Sequence, residues 1–181
     1  MTVARYVARI AAFAVVQLLA FPFLPLPVAA VWMLAQGRWG LRRFDVIALA
    51  TLTAAATVAT GGGTLSGLGA AVAVTAPAVL FAVLVERWAP GWWLRHGDRF
   101  RPGRARLARI AAAAALPAVA ALVLRAVITP GMSLSGVLLT LLGETAGTLL
   151  LASAARALGA FLPGPPADVA PLARTGGRSR R

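Results

Sequence analysis

The sequence predicts an all-α integral membrane protein that folds as a small polytopic helical bundle. Of its 181 residues, 60% are hydrophobic and only 13% are charged, and the mean hydropathy is +0.82. An uninterrupted run of 40 residues, 46–85, carries no charged side chain. Because about 20 apolar residues cross the hydrocarbon core of a bilayer as a helix, this run alone is long enough for two crossings.

The first predicted span covers residues 10–36 and contains Pro22, Pro25 and Pro27. Proline removes a backbone donor and kinks or ends a helix, so two interpretations stay open. A single kinked crossing is favoured by length, because residues 10–37 fall short of two full spans. A re-entrant or shallow hairpin is favoured by charge, because arginines flank both ends. The side of the membrane on which the N-terminus lies follows from this choice and stays open with it.

Four further helices are predicted as two hairpins. The first hairpin pairs spans 45–60 and 64–86 and turns at the glycines of 61–63. The second pairs spans 108–128 and 134–158 and turns near Pro130 and Gly131.

The arginine clusters predict how these hairpins are oriented. Short arginine-rich segments stay on the cytoplasmic side of a membrane, and three such segments lie at 38–43, 87–109 and 174–181. An even number of crossings must then separate them, which agrees with two hairpins and places the C-terminus in the cytoplasm.

The chain is predicted to divide into a membrane-embedded helical domain, 1–162, and a disordered, basic cytoplasmic tail, 163–181. The tail combines prolines, glycines and arginines and has too few apolar residues to form a core. All 18 basic residues of the chain are arginine, which, with the abundance of alanine, indicates a GC-rich bacterial genome. We therefore expect a multipass protein of the bacterial cytoplasmic (inner) membrane.

The cytoplasmic loop 87–109 combines indole rings with guanidinium groups. Such residues contact the anionic headgroups of a lipid bilayer or an acidic partner protein. Nucleic-acid binding is not favoured, because no recognition motif accompanies the arginines. The residues predicted to make lipid or partner contacts are Trp88, Trp92, Trp93, Arg95, Arg99, Arg101, Arg104, Arg106 and Arg109.

Glu144 is the strongest candidate for an intramembrane polar site. It is predicted to lie roughly 15 Å into the membrane, where an ionisable group is costly and is by default a functional-site hypothesis. Thr140 and Thr148 lie one turn away on the same helix face. Two interpretations stay open: a proton- or cation-linked carboxylate, or a neutral glutamic acid that bonds to a neighbouring helix.

Arg125 is the candidate partner of Glu144. It is predicted to lie near the outer interface, at a depth that differs from that of Glu144 by roughly 9 Å. We therefore expect its side chain to snorkel outward rather than to pair directly, while a shared water-filled pocket stays open as an alternative.

Two rows of small residues predict close helix packing. Small side chains let membrane helices approach each other through their backbones. The first row is Gly63, Gly67 and Ala71, and the second is Gly136, Gly143 and Gly147.

The sequence supplies little catalytic chemistry. It has no cysteine and one histidine, and its serines do not form a nucleophile elbow, so we expect no enzyme activity, metal site or cofactor. The favoured function is a non-catalytic multipass subunit (a scaffold, assembly factor or anchor) of a membrane complex, with other membrane subunits or a second copy as partner. The alternative is a small transporter or channel subunit in which Glu144 is the binding or proton-coupling carboxylate.

Overall fold

The computed structural model describes residues 3–36, 42–89, 104–128 and 133–161. Within these ranges all regular secondary structure is helical. The helices are α1 (Val3–Ala20), α2 (Pro25–Gln36), α3 (Arg42–Ala59), α4 (Thr64–Trp88), α5 (Arg104–Ile128) and α6 (Leu134–Phe161).

Three of these helices contain segments long and apolar enough to cross a membrane. Those segments are Thr64–Trp88, Leu107–Ile128 and Leu134–Ala157. Helix α3, predicted as a fourth span, has Arg42, Arg43 and Asp45 in its first turn. Its uncharged part, 46–59, is about 21 Å long, which is shorter than the ~30 Å hydrocarbon core. The described part of the chain is thus all-helical with three candidate spans, and the fourth predicted span is not confirmed.

Residues 10–36 form parts of two helices rather than one kinked helix. Helix α1 ends at Ala20 and α2 begins at Pro25, because a proline fits the first position of a helix, where its missing N–H has no intrahelical acceptor. The two helices lie antiparallel. Gln17, near the end of α1, donates a hydrogen bond of 3.1 Å to the carbonyl oxygen of Pro25, while the ring of Phe13 stacks on that of Trp32 at 5.5 Å.

Helix α2 occupies the centre of the bundle. It packs against α1, α3, α4 and α6, and its residues 26–30 and 32–34 are buried. With 12 residues it is about 18 Å long, too short to cross a bilayer by itself.

A buried carboxylate joins the first three helices at the arginine-rich end of the bundle. Asp45 lies in the first turn of α3, and its Oδ1 accepts a hydrogen bond from Nε1 of Trp32 at 3.3 Å. The hydroxyl of Tyr6 donates to the same oxygen at 3.5 Å. The sequence indicated Asp45 only as the boundary of an uncharged run, because nothing local pairs it with residues of α1 and α2.

The connection between α3 and α4 lies at the triple glycine. The N–H of Gly62 donates to the carbonyl oxygen of Thr57, and the N–H of Gly61 donates to that of Val58. This pair of bonds ends a helix in a Schellman motif, whose turning residue adopts a left-handed conformation. Gly61 has a φ of 92°, which a glycine adopts without a steric penalty.

The predicted small-residue rows contact neighbouring helices at some of their positions. A Cβ built on Gly67 would lie 3.0 Å from the backbone oxygen of Ala54 in α3, and Ala71, one turn further, is buried. In α6, a Cβ on Gly147 would meet Pro27 of α2 at 3.0 Å. The remaining members make no such contact. A Cβ built on Gly63 or Gly143 would have no described neighbour within 4 Å, and one on Gly136 would meet only Ser133 among the described residues.

We expect Gly67→Val to destabilise the bundle and Gly143→Val to leave its stability nearly unchanged. A valine at 67 would press its Cβ and Cγ atoms against the α3 backbone, and overpacking of this kind costs about 1–3 kcal/mol. The same substitution at 143 meets open space, so the two variants share the change in helix propensity but not the clash. Thermal unfolding in detergent measures the difference, and equal midpoints would contradict the packing.

Candidate functional site

A cleft of about 630 Å³ opens at one end of the bundle. It lies where α1, α3 and α5 end and where α2, α4 and α6 begin, the end opposite Asp45. Apolar side chains form much of its wall, including those of the α1–α2 connection, 21–24. The polar side chains that line it are Thr57, Ser66, Arg125, Thr140 and Glu144.

Arg125 of α5 and Glu144 of α6 form an ion pair in this cleft. Nη1 of Arg125 lies 2.6 Å from Oε1 of Glu144. The expectation that Arg125 would snorkel outward without a direct partner was therefore wrong. Both side chains are long, and together they can bridge the difference in depth that helix rise predicts.

The two charges of this pair are exposed to different degrees. The Glu144 side chain is 4% exposed, whereas that of Arg125 is 26% exposed. Because both line the cleft, the guanidinium is the charge that a molecule in the cleft meets, and the carboxylate lies behind it.

Hydrogen bonding around Glu144 is incomplete. Oε1 contacts the guanidinium of Arg125 at 2.6 Å, a short, charge-assisted contact. Oε2 has no hydrogen-bond partner among the described residues. Thr140 lines the cleft, and Thr148 is buried with its hydroxyl unpartnered in the described part of the chain. Neither threonine supplies the hydrogen bond to Glu144 that their spacing suggested.

Further buried polar atoms also lack partners within the described ranges. They are Oε1 of Gln17 on α1 and Oγ1 of Thr75 on α4. By contrast, the hydroxyl of Thr53, also buried, donates to the carbonyl oxygen of Leu49 at 2.8 Å. Unsatisfied buried groups are uncommon in proteins and invite a functional explanation, and Glu144 is the one that lines a cleft.

The chemistry available in the cleft is that of binding and proton exchange. One guanidinium, one carboxylate and three hydroxyl groups converge there, and such groups can hold a polar solute or bind and release a proton at the carboxylate. Among the described residues no three histidine, cysteine, aspartate or glutamate side chains are grouped in a way that could hold a metal ion.

The predicted lipid- or partner-contacting residues are only partly described. Trp88 is half-buried and packs against the apolar cluster that contains Leu34 and Ile110, and Arg109 is exposed. Outside the described residues lie the tail and the rest of the loop, including Trp92, Trp93, Arg95, Arg99 and Arg101. The side chains of Arg104 and Arg106 are likewise undescribed.

The sequence did not identify the cleft-lining residues that lie outside α5 and α6. Residues 21–25, Thr57 and Ser66 all line it. The prolines of the first segment signalled a break in the helix, but no pattern indicated that the break lies over Glu144.

The chain matches no family model, no curated protein and no solved structure. The geometry of the cleft and the distribution of charge along the chain are therefore the features that bear on its function.

We expect a double-mutant cycle to show that Arg125 and Glu144 are energetically coupled. Removing one partner of a buried pair leaves the other uncompensated, so Arg125→Gln should destabilise the protein strongly. Adding Glu144→Gln to that variant should recover part of the loss. The expected coupling is about 1–3 kcal/mol, measured as the free energy of unfolding in mixed micelles.

Arg109→Gln is the matched control, because Arg109 lies on the same helix and is exposed. It should cost less than about 0.5 kcal/mol. Strict additivity of Arg125→Gln and Glu144→Gln would show that the ion pair contributes nothing to the folded state.

Proposed function

We propose that this protein is a small transporter or channel subunit of a bacterial inner membrane, and that it admits a polar solute into the cleft of Arg125 and Glu144. The observation that carries the proposal is the position of this pair: both residues line a cleft, where the guanidinium is partly exposed and the carboxylate is buried behind it. Ionisable groups at membrane depth that face a cavity are typical of solute and proton pathways.

The proposed topology places all arginine-rich segments in the cytoplasm. The starts of α1 and α3 meet at Asp45, and the end of α4 shares an apolar cluster with the start of α5. The described parts next to arginine-rich segments thus gather at one end of the bundle. With that end inside, both ends of the α1–α2 pair lie on the cytoplasmic side, and the cleft opens to the outside.

A multipass scaffold, assembly factor or anchor remains the second candidate. The surface of α6 favours it, because leucines at 134, 138, 142 and 150 are exposed and can meet either lipid or another subunit. If the protein is a scaffold, assembly factor or anchor, the Arg125–Glu144 pair has only a structural role. Replacements of the two residues that preserve the fold would then leave the function of the protein unchanged.

We expect a cysteine at Thr140 to react with impermeant methanethiosulfonates added outside, and a cysteine at Leu142 to remain unreactive. Thr140 lines the cleft, whereas Leu142 is exposed on the bundle surface, which lipid covers in the membrane. Only a thiolate in contact with water reacts, so Thr140→Cys should react at least about tenfold faster.

The chain has no native cysteine, so each variant carries a single thiol. Anionic and cationic reagents are both used, and reaction with either indicates a water-filled cleft. If Thr140→Cys is as unreactive as Leu142→Cys with both reagents, the cleft is closed to water and the transporter proposal fails.

We expect a cysteine at His96 to be protected in intact cells and to react after the membrane is permeabilised. His96 lies in the arginine-rich loop 87–109, which the proposed topology places in the cytoplasm. Ser66→Cys is the control, because Ser66 lines the cleft and should react in intact cells. If the cysteine at position 96 is labelled in intact cells, the loop lies outside and the proposed topology is wrong.

A further inference from the structure

The two charges in the cleft are not equivalent to an incoming solute. The Arg125 side chain is 26% exposed and the Glu144 side chain behind it is 4% exposed. On the basis of the proposed function, we propose that the cleft binds a small organic anion through Arg125, and that Glu144 is the internal counter-ion that this anion displaces. In the absence of solute, the carboxylate of Glu144 thus occupies the anion-binding position on Arg125. It does not itself bind the solute.

The guanidinium has unused capacity for such a ligand. Arginine carries five N–H donors in a planar fork that matches the oxygens of carboxylate, sulfonate or phosphate groups. Glu144 contacts this fork through one nitrogen, Nη1, at 2.6 Å. An anion that enters the cleft can therefore bind the remaining N–H donors as well as take the place of the carboxylate at Nη1.

A cationic solute is disfavoured by the same arrangement. To reach the buried carboxylate it would have to approach the more exposed guanidinium, which carries the same charge as the solute. Glu144 is also already compensated by Arg125 at 2.6 Å, so a cation would gain less than an anion that meets Arg125 directly.

The remaining lining narrows the class of anion. Apolar surface comes from Phe21, Phe23, Ile128 and Leu139, and Ser66 adds a hydroxyl group. The hydroxyl of Thr57 already donates to the carbonyl oxygen of Thr53. A volume of about 630 Å³ lies within the usual range of small-molecule pockets. These features suit a monoanion with an aromatic or branched aliphatic body rather than a compact inorganic ion.

Charge balance then couples the binding of an anion to the uptake of a proton. The pair is neutral as it stands, and an anion on Arg125 leaves Glu144 as an uncompensated buried carboxylate, which is costly. A proton taken from solution by Glu144 restores neutrality, so one proton is bound with each anion. Among the described residues that line the cleft, Arg125 and Glu144 are the only ionisable ones. Residues 21–25, α3 and α4 contribute none.

The test uses the full-length protein in phosphatidylcholine nanodiscs and isothermal titration calorimetry. The probes are benzenesulfonate, whose charge is fixed over the pH range, and benzyltrimethylammonium, a cation with the same ring. Benzenesulfonate should bind, and its affinity should rise by up to about tenfold for each pH unit that the pH falls, as uptake of one proton requires. The cation should not bind.

Variants assign the effect to the two residues. Arg125→Gln should weaken benzenesulfonate binding at least about tenfold, while Arg109→Gln, at an exposed position on the same helix, should not change it. Glu144→Gln should retain binding and lose its pH dependence. Because Arg125→Gln alone leaves a buried charge, the neutral double variant Arg125→Gln/Glu144→Gln provides a second protein that should fold and not bind.

Each contrary result overturns a defined part of this proposal. Binding of the cation that depends on Glu144 would reverse the solute charge while leaving the proposed transporter function intact. Sulfonate binding that survives Arg125→Gln, or the absence of binding by either probe, would remove the anion site. The proposed function itself fails only on the thiol comparison of Thr140 with Leu142, which requires no ligand.

Discussion

A charged or polar group that is removed from water must find a partner inside the protein, and this constraint explains how the bundle is built. The hydroxyls of Thr51, Thr53 and Thr57 in α3, and of Thr60 just after it, each donate to a carbonyl oxygen of α3. Asp45 accepts hydrogen bonds from Trp32 and Tyr6. The short helix α2 lies in the centre, with residues 26–30 and 32–34 buried. Each of these is a local solution to the same requirement.

The sequence predicted those parts of the fold that depend on local pattern. The bounds of the last three helices agree with the predicted spans to within a few residues, because long apolar runs ended by charges, glycines or prolines leave few choices. The reversal at 21–24 could not be decided. Whether a proline-rich break bends a helix or turns it back depends on the residues that surround it, and Phe13 stacked on Trp32 is a tertiary contact that no periodicity reveals.

The sequence singled out Glu144, Arg125 and Thr140, which line the cleft, but neither the geometry nor the other lining residues. Glu144 was identified because a lone carboxylate in an apolar run is costly, which composition alone shows. Its pairing with Arg125 was underestimated, because counting helix rise locates backbone atoms and ignores side-chain reach. The cleft was missed for a different reason: its walls come from segments as distant as 21–25 and Ser66. No single segment carries the signature of a space between helices.

Stability alone gives a poor account of the Arg125–Glu144 pair. Buried ion pairs often contribute no more than apolar side chains of the same shape, and in this one Oε2 of Glu144 has no hydrogen-bond partner among the described residues. Asp45, which is wholly buried and accepts bonds from two helices, has a sufficient structural role. Arg125 and Glu144 line a cleft, and the guanidinium is the more exposed of the two groups. On the proposed function, this exposure is what lets a solute reach the guanidinium and replace its counter-ion, whereas a purely structural link has no need of it.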